Sequence, residues 1–397
     1  MPTASIILPT YNRADTIVRA IESVQAQTFI DWELIVVDDG STDGTAELIA
    51  NLEPRMVLIR QENRGFTEAR NVGIRASNGK YLAFLDSDDE FMPHHLELCV
   101  AFLEAHPEEQ FVSTELIEDF GHGRFVRHYR IETEEWFPQR ARKVGSHMLD
   151  LPPGEHDNYL RVYESRESIG DWGHSISESV GLGDAFLYQG NIFEYLRWGF
   201  LITITATVMR RTALEIVGLP QARLSTGSDY HFMASLCRHF RANYLSLPTF
   251  IKHELNTEGK DLALSHVVTG ASSLRFHKDL LRAWDELFWD DRPQRSDLIR
   301  LRGSMLFTTG VVALEAGKRD EALRFLQEAR ASRQGWKALA LSTFIKCLPT
   351  PRASQRVWLA LTRSSSAVKE LLNGHLTLWE LLRKAKGRIR TSHRENH

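Results

Sequence analysis

With 397 residues, 43% of them apolar and 25% charged, the chain can bury a large core, and this composition excludes a wholly disordered or fibrous protein. Its three cysteines, Cys99, Cys237 and Cys347, are far apart and odd in number, which excludes a disulfide framework or a zinc-ligand spacing and fits a reducing compartment. The net charge of -4 is unevenly spread: from Arg333 onward 13 Lys or Arg oppose 3 Glu, a tail of +10 on a body of -14.

Met1, Pro2 and Thr3 lead straight into a strand-like run, with no room for the charged and apolar regions of a secretory signal, so a cytoplasmic location is expected. Residues 5–8, 34–37, 56–59 and 81–85 read as strands. Between them, Ile17, Ala20, Ile21 and Val24, and again Ala69, Val72, Gly73 and Ala76, fall at helical spacing with one apolar face. Strands that are apolar throughout and alternate with helices imply βαβ units, an α/β class and a mostly parallel sheet covered on both faces.

Residues 118–199 are less regular and rich in aromatics, histidines and prolines, as expected of an insertion shaping a pocket. Trp136, Tyr159, Tyr163 and Trp172 there could stack on the rings of a ligand or fill a small core. A further strand is expected over 203–210, and an amphipathic helix starting near Asp229. The nearly uncharged stretch 199–209 is about half of the ~20 residues that cross a bilayer and is interrupted by Thr203, Thr205 and Thr207, so no transmembrane helix is expected. From Leu274 the chain reads as helical, with a helix over 297–316 closing at Gly317 and a second capped by Asp320, a hairpin like one unit of a tetratricopeptide-type repeat.

Ligands of such sheets bind beyond the carboxyl ends of the strands. Polar motifs fall there: Pro9-Thr10-Tyr11-Asn12 after the first strand, Asp38-Asp39-Gly40-Ser41 after the second, Asp86-Ser87-Asp88-Asp89 after the fourth. The last is a cluster of anions that a hard divalent cation such as Mg²⁺ or Mn²⁺ would relieve, although a solvated acidic loop or a helix cap also accounts for it. The second can be a plain helix N-cap and turn or a nucleoside-binding carboxylate.

Together, Ser5-Ile6-Ile7-Leu8-Pro9-Thr10-Tyr11-Asn12-Arg13, Val36-Val37-Asp38-Asp39-Gly40-Ser41-Thr42-Asp43, Asn63-Arg64-Gly65 with Ala69-Arg70-Asn71-Val72-Gly73, and Leu85-Asp86-Ser87-Asp88-Asp89 resemble the inverting, bacterial-type glycosyltransferase family 2 of GT-A fold, in order and spacing, over residues 4 to about 110. The resemblance implies a donor-binding half at 1–110, an acceptor and catalytic-base half at 111–270, and a helical extension with a basic tail at 271–397. It implies a nucleoside diphosphate sugar donor, a UDP-sugar favoured, bound by Pro9, Thr10, Tyr11, Asn12, Arg13, Asp38, Asp39, Arg70, Asp86 and Ser87. In it Tyr11 stacks on the base, Asp39 bonds a ring nitrogen, and Arg70 approaches the base or phosphates. Asp88, Asp86 and Asp89 would hold Mg²⁺ or Mn²⁺, joined by His253, for which a plain surface histidine is the competing account. Asp229 would be the catalytic base, although it also fits an N-cap, with Arg238 at the downstream basic site; Ser228 departs from the family, where an acid is more usual.

The expected activity is transfer of a sugar to an acceptor hydroxyl on a glycan or lipid-linked precursor, in cell-surface polysaccharide or glycolipid biosynthesis. A nucleotidyltransferase would need a lysine- and glycine-rich loop after the first strand, and a dinucleotide oxidoreductase a G-x-G-x-x-G there; neither is present. A non-catalytic scaffold with a relic donor site is the alternative of another class. In the tail, Val368, Leu371, Leu372, Trp379 and Leu382 beside Lys369, Arg383, Lys384, Lys386, Arg388 and Arg390 suit a basic amphipathic helix in peripheral contact with an anionic membrane. Nucleic acid is not expected as a partner, since no binding module accompanies the charge.

Overall fold

The computed structural model describes residues 2–119, 125–128, 158–169, 185–197, 199, 201–224, 226–253, 271–289, 295–330, 335–346, 350 and 355. Trp136, Trp172, Cys347 and the basic tail from 364 onward lie outside the described residues. The chain divides into two compact units, Met1–Val267 and Val268–His397.

Unit 1 is built on one sheet. Its strands are β1 (Ala4–Thr10), β2 (Trp32–Asp38), β3 (Met56–Arg60), β4 (Tyr81–Phe84), β5 (Glu90–Phe91), β6 (Phe111–Asp119), β7 (Phe125–His128), β8 (Ser165–Ser168), β9 (Phe186–Gly190), β10 (Thr207–Arg210) and β11 (Ala242–His253). The order is β3-β2-β1-β4-β10-β6-β11-β9-β8, with β5 on β11 and β7 on β6. β1 to β4 are mutually parallel. β10 runs against both β4 and β6, β11 runs with β6, and β9 runs against β11. β6 and β11, neither anticipated from the sequence, therefore point the same way as β1 to β4.

All seven residues of β1 are buried, because helices cover both faces, and alternate side chains serve each. Ile6 and Leu8 join Leu34, Val36, Ala83 and Val112 in a core closed by Ile17, Ala20, Ile21 and Val24 of α1 (Ile17–Gln25) and by Leu96, Cys99, Phe102 and Leu103 of α4 (His95–Ala105). On the other face lies α3 (Phe66–Ala76), which follows the short α2 (Thr45–Ile49) in the chain. Gly73 is what lets α3 approach: a Cβ there would sit 2.6 Å from Ile7 Cγ2 and 3.4 Å from Val37 Cγ2. Next to it α5 (Ser228–His239) sets Phe232 edge-on to Phe84 of β4 at 6.4 Å.

Tyr159 and Tyr163 are buried: Tyr159 stacks with Tyr188 of β9 and Tyr244 of β11, with centroids at 4.7 and 5.1 Å, and Tyr163 lies tilted against the same two rings. Of the two readings of these rings, the core one holds. Burial of Cys99 and Cys237 pushes both thiols up, so they pack as small apolar groups.

Unit 2 contains α6 (Ala271–Trp284), α7 (Ser296–Glu315), α8 (Arg319–Ala329) and α9 (Gly335–Lys346). Ala322, Phe325, Leu326 and Ala329 form the buried face of α8, as its periodicity predicts. Lys318, not Asp320, is the N-cap, and Asp320 lies in the first turn, where its charge still suits the helix dipole. Among the described residues no helix is long and apolar enough to cross a membrane.

Candidate functional site

Because β1, β2, β4, β6 and β11 share one direction, their carboxyl ends meet along one edge, and the polar motifs after β1, β2 and β4 lie on it.

The loop after β1 is tied to the loop after β2. Asn12 adopts a left-handed backbone (φ 51), tolerable for Asn. Its N–H donates to Ser41 Oγ at 2.9 Å and its Oδ1 accepts from the Thr42 N–H at 2.8 Å. The Arg13 N–H donates to Thr45 Oγ1 at 3.0 Å. Asn12 thus acts through the backbone of its neighbour loop. Tyr11 beside it stands 46% exposed, an open aromatic face at the rim. Thr10 Oγ1 is buried without a hydrogen bond.

Asp38 and Asp39 differ in role. Asp38 is fully buried: its Oδ1 accepts from the Ser41 N–H at 2.9 Å and its Oδ2 pairs with Arg60 Nε at 3.1 Å. Its carboxylate holds the loop, and no face of it is open to a ligand. Asp39 accepts from Gln61 Nε2 at 2.7 Å, the Arg64 N–H at 2.9 Å and the Gly65 N–H at 2.8 Å, gathering the entry to α3. A carboxylate has about four acceptor positions, so one is left for a ligand N–H. Gly40, just after them at φ +82, is a position that favours glycine, and a Cβ there would also crowd the Asn63 nitrogen at 3.1 Å and the Gln61 carbonyl at 3.2 Å.

After β4, Thr16 Oγ1 donates to the Ser87 carbonyl at 2.9 Å and Arg19 Nη2 to the Asp88 carbonyl at 2.7 Å, so α1 pins this loop by its backbone. Ser87 is buried by this tie rather than presented to a ligand. The carboxylates fan out. Asp88 pairs with Arg13 at 3.2 Å, Asp86 with Arg70 at 3.0 Å, and Asp89 turns inward to accept the His253 N–H at 3.0 Å. Burial pushes the Asp86 carboxyl up to about 6; Arg70 opposes this and Asp88 and Asp229 add to it. Its side chain keeps 41% of its surface open, so solvent limits the desolvation. Burial, then Asp88 and Asp86, raise Asp89 well above the usual carboxylate range.

This crowding is what a divalent cation relieves, and the all-oxygen donor set suits a hard ion. Asp86 and Asp88 fit that role and Asp89 does not, because it is buried and turned toward the His253 backbone at the end of β11. Among the described residues no three His, Cys, Asp or Glu side chains cluster tightly enough to enclose a metal, which leaves two carboxylates with room for phosphate oxygens. His253 has Asp119 Oδ2 at 2.9 Å on Nδ1 and Glu90 Oε1 at 2.6 Å on Nε2. With both ring nitrogens engaged, it joins the ends of β6 and β11 to β5 and has no lone pair directed at a cation.

Asp229 lies in the first turn of α5, whose N-cap is Gly227, so its carboxylate is not spent on capping. It bonds Arg70 Nη1, and the same guanidinium reaches Asp86. Ser228, fully buried, shares a 2.8 Å hydrogen bond with Thr67 Oγ1. Arg238 lies nine residues further on, about 13 Å along the helix axis at 1.5 Å per residue, with its guanidinium 5.7 Å from the Phe193 ring. The structure therefore brings Asp86 and Asp229 onto one cation and does not bring Arg238 to them. Arg19, Thr67, Glu90 and Asp119 are supporting residues that no motif signalled; Arg19 and Thr67 are two polar positions among several on amphipathic helices.

Residues 5–156 match the family model described as glycosyl transferase family 2. Succinoglycan biosynthesis protein ExoO of Rhizobium meliloti is 48% identical over 98 residues, 24% of this chain and 28% of that protein. The putative teichuronic acid biosynthesis glycosyltransferase TuaG of Bacillus subtilis is 41% identical over 106 residues, 26% of this chain and 42% of that one. The matched stretch spans less than half the length of these relatives. Among solved structures, S. aureus TarS 1–349 in complex with UDP-GlcNAc superposes with a TM-score of 0.53 over 91% of this chain and 92% of that one at 17% identity, which shows a shared GT-A fold.

Proposed function

We propose, on the premise that residues 5–156 belong to glycosyl transferase family 2, that the chain is an inverting glycosyltransferase. It transfers a sugar from a nucleoside diphosphate sugar, first of all a UDP-sugar, to an acceptor hydroxyl in the assembly of a cell-surface polysaccharide or glycolipid. The observation that carries this is the meeting of Asp86 and Asp229, far apart in sequence, on the one guanidinium of Arg70. It sets the candidate metal motif beside a carboxylate that can take a proton. The TarS fold holding UDP-GlcNAc supports a UDP-sugar as the first donor to test, and the names of ExoO and TuaG support a polysaccharide product.

In this reading Tyr11 stacks on the base, the open acceptor position of Asp39 takes a ring N–H, and Thr10 Oγ1 gains the partner it lacks. Asp88 and Asp86 would hold Mg²⁺ or Mn²⁺, which when bound offsets charge on the leaving diphosphate. Arg13, released from Asp88, turns to a phosphate. The acceptor oxygen attacks the anomeric carbon from the face opposite the diphosphate, that carbon's bond to the phosphate oxygen breaks, and Asp229 takes the hydroxyl proton. The reaction takes place on the cytoplasmic side, with the basic tail docking on anionic lipid; liposomes binding full-length and tail-truncated protein equally would contradict the docking.

The test is a panel of nucleoside diphosphate sugars in thermal unfolding with and without Mn²⁺, followed by the anomeric configuration of the product. Metal-dependent stabilisation of about 2.7 kcal/mol is expected at 100 times the dissociation constant, with inversion at the transferred carbon. No stabilisation by any donor, or retention of configuration, would refute the reading.

A further inference from the structure

We infer that Arg70 is a positioning residue for Asp229, not a ligand of the nucleotide, and that α3 as a whole sets the geometry of the base against the donor. The inference rests on reading Asp229 as the base.

Arg70 is 1% exposed and lies between two rings, 5.4 Å from the centroid of Phe66 and 6.0 Å from that of Phe84. Its two terminal nitrogens are divided, Nη1 to Asp229 and Nη2 to Asp86, each on Oδ1. A planar guanidinium presents donors in a fixed fork, so two carboxylates bound to the two tips keep a fixed separation. Both carboxylates are partly open to solvent while Arg70 is not. To reach a base or a phosphate, Arg70 would have to abandon both and leave its aromatic slot. From where it is, it acts on the reaction through Asp229.

The rest of α3 holds the segment that delivers Asp229. Asn71 Nδ2 donates to the Pro220 carbonyl at 2.8 Å, and Thr67 Oγ1 shares its 2.8 Å bond with Ser228 Oγ, which also lies 3.3 Å from Asp229 Oδ1. At its N-terminus the same helix is bound by Asp39. One rigid helix therefore joins the candidate nucleotide carboxylate to the candidate base. This also accounts for Ser228 where an acid is more usual. The position is fully buried against Thr67, and the single charge of Arg70 is already shared between Asp86 and Asp229. A third carboxylate there would be buried with no cation of its own, which is costly, whereas a hydroxyl is satisfied by Thr67. The bonds from Arg70 and Ser228 both fall on Oδ1, which assigns Oδ2 to the acceptor proton.

The experiment compares full-length Arg70→Gln, Arg70→Lys, Thr67→Val and Asp229→Asn by steady-state kinetics and by UDP titration calorimetry with Mn²⁺. Misplacing a reacting group by ~1 Å costs about 100-fold in rate, so Arg70→Gln should lose roughly that in kcat while donor KM and the UDP dissociation constant stay within about 3-fold. Arg70→Lys should recover part of the loss, because an ammonium can serve either carboxylate but not both in register. Thr67→Val, close in shape to the parent residue, should lower kcat several-fold at unchanged donor KM, and it decides the matter if Arg70→Gln does not fold. Removing the cation beside Asp86 strengthens that carboxylate's attraction for Mn²⁺, so weaker UDP binding in Arg70→Gln, matching its loss of kcat/KM, would reveal a direct nucleotide contact and overturn the inference. Unchanged kcat in both Arg70→Gln and Thr67→Val would overturn it too. Wild-type kcat in Asp229→Asn would instead remove the base assignment on which it rests, whatever Arg70 does.

Discussion

The two halves of the sheet follow different rules. From β3 to β4 every strand is parallel, so all loops that carry polar motifs leave from one edge and are hydrogen-bonded to each other: Asn12 to Ser41 and Thr42, Thr16 to Ser87, Asp39 to the start of α3. From β10 to β8 directions are mixed, with β6 and β11 parallel and the other neighbours antiparallel, loops leave from both edges, and the polar contribution comes mainly through helix α5 and the end of β11. The difference teaches that a parallel half builds a site by its topology, whereas a mixed half must be fastened to it by specific ties, here Arg70 to Asp229 and Asp89 to His253.

Substitutions can break that contrast, and the largest effects on donor binding are expected in the parallel half. Asp88→Ala removes the candidate metal carboxylate that is not held by Arg70. It should cost about 1,000-fold in turnover and abolish metal-dependent UDP binding in calorimetry. Gly73→Ala drives a methyl into Ile7, and overpacking of this kind costs about 1–3 kcal/mol, read by denaturant unfolding; because α3 joins both halves, UDP affinity and turnover should fall together.

Protonation probes the same loop more gently. Asp86 must be ionised to hold a cation, and its carboxyl is pushed up to about 6. Mn²⁺ affinity should therefore weaken about tenfold between pH 7 and pH 5, and in Asp86→Asn that dependence should vanish. Asp89, also raised, binds its proton more tightly folded than unfolded, so its ionised form destabilises the fold above its folded pKa and not below the unfolded one. Asp89→Asn keeps an acceptor for the His253 N–H and should raise the melting temperature by a few degrees at pH 8, with the gain disappearing near pH 4.

How much of this the sequence revealed follows the same division. β1 to β4, α1 and α3 were legible because buried parallel strands are apolar throughout and their helices periodic. β6 and β11 were not, because Ser113, Thr114 and Glu115 break the apolar run of one and Pro248 sits at a register shift in the other. β8 carries no apolar residue but its first neighbour Ile169. The strand expected over 203–210 is shorter, Thr207–Arg210. In the site, Asp86, Asp88 and Asp229 stand partly open to solvent, whereas Asp38, Asp39, Asp89, Arg70 and His253 are buried and bound within the protein. Residue type and spacing mark the loop, but which way a carboxylate turns depends on partners such as Arg60 and the His253 backbone, which only the tertiary structure brings near.

The most direct test of the account is Asp229→Asn in the full-length protein, with sugar transfer and Mn²⁺-dependent UDP binding measured on the same preparation. The account predicts that transfer falls by about 1,000-fold or more while UDP binds within about 3-fold of the parent affinity, since the donor site is proposed in the parallel half. Transfer at the parent rate would contradict it.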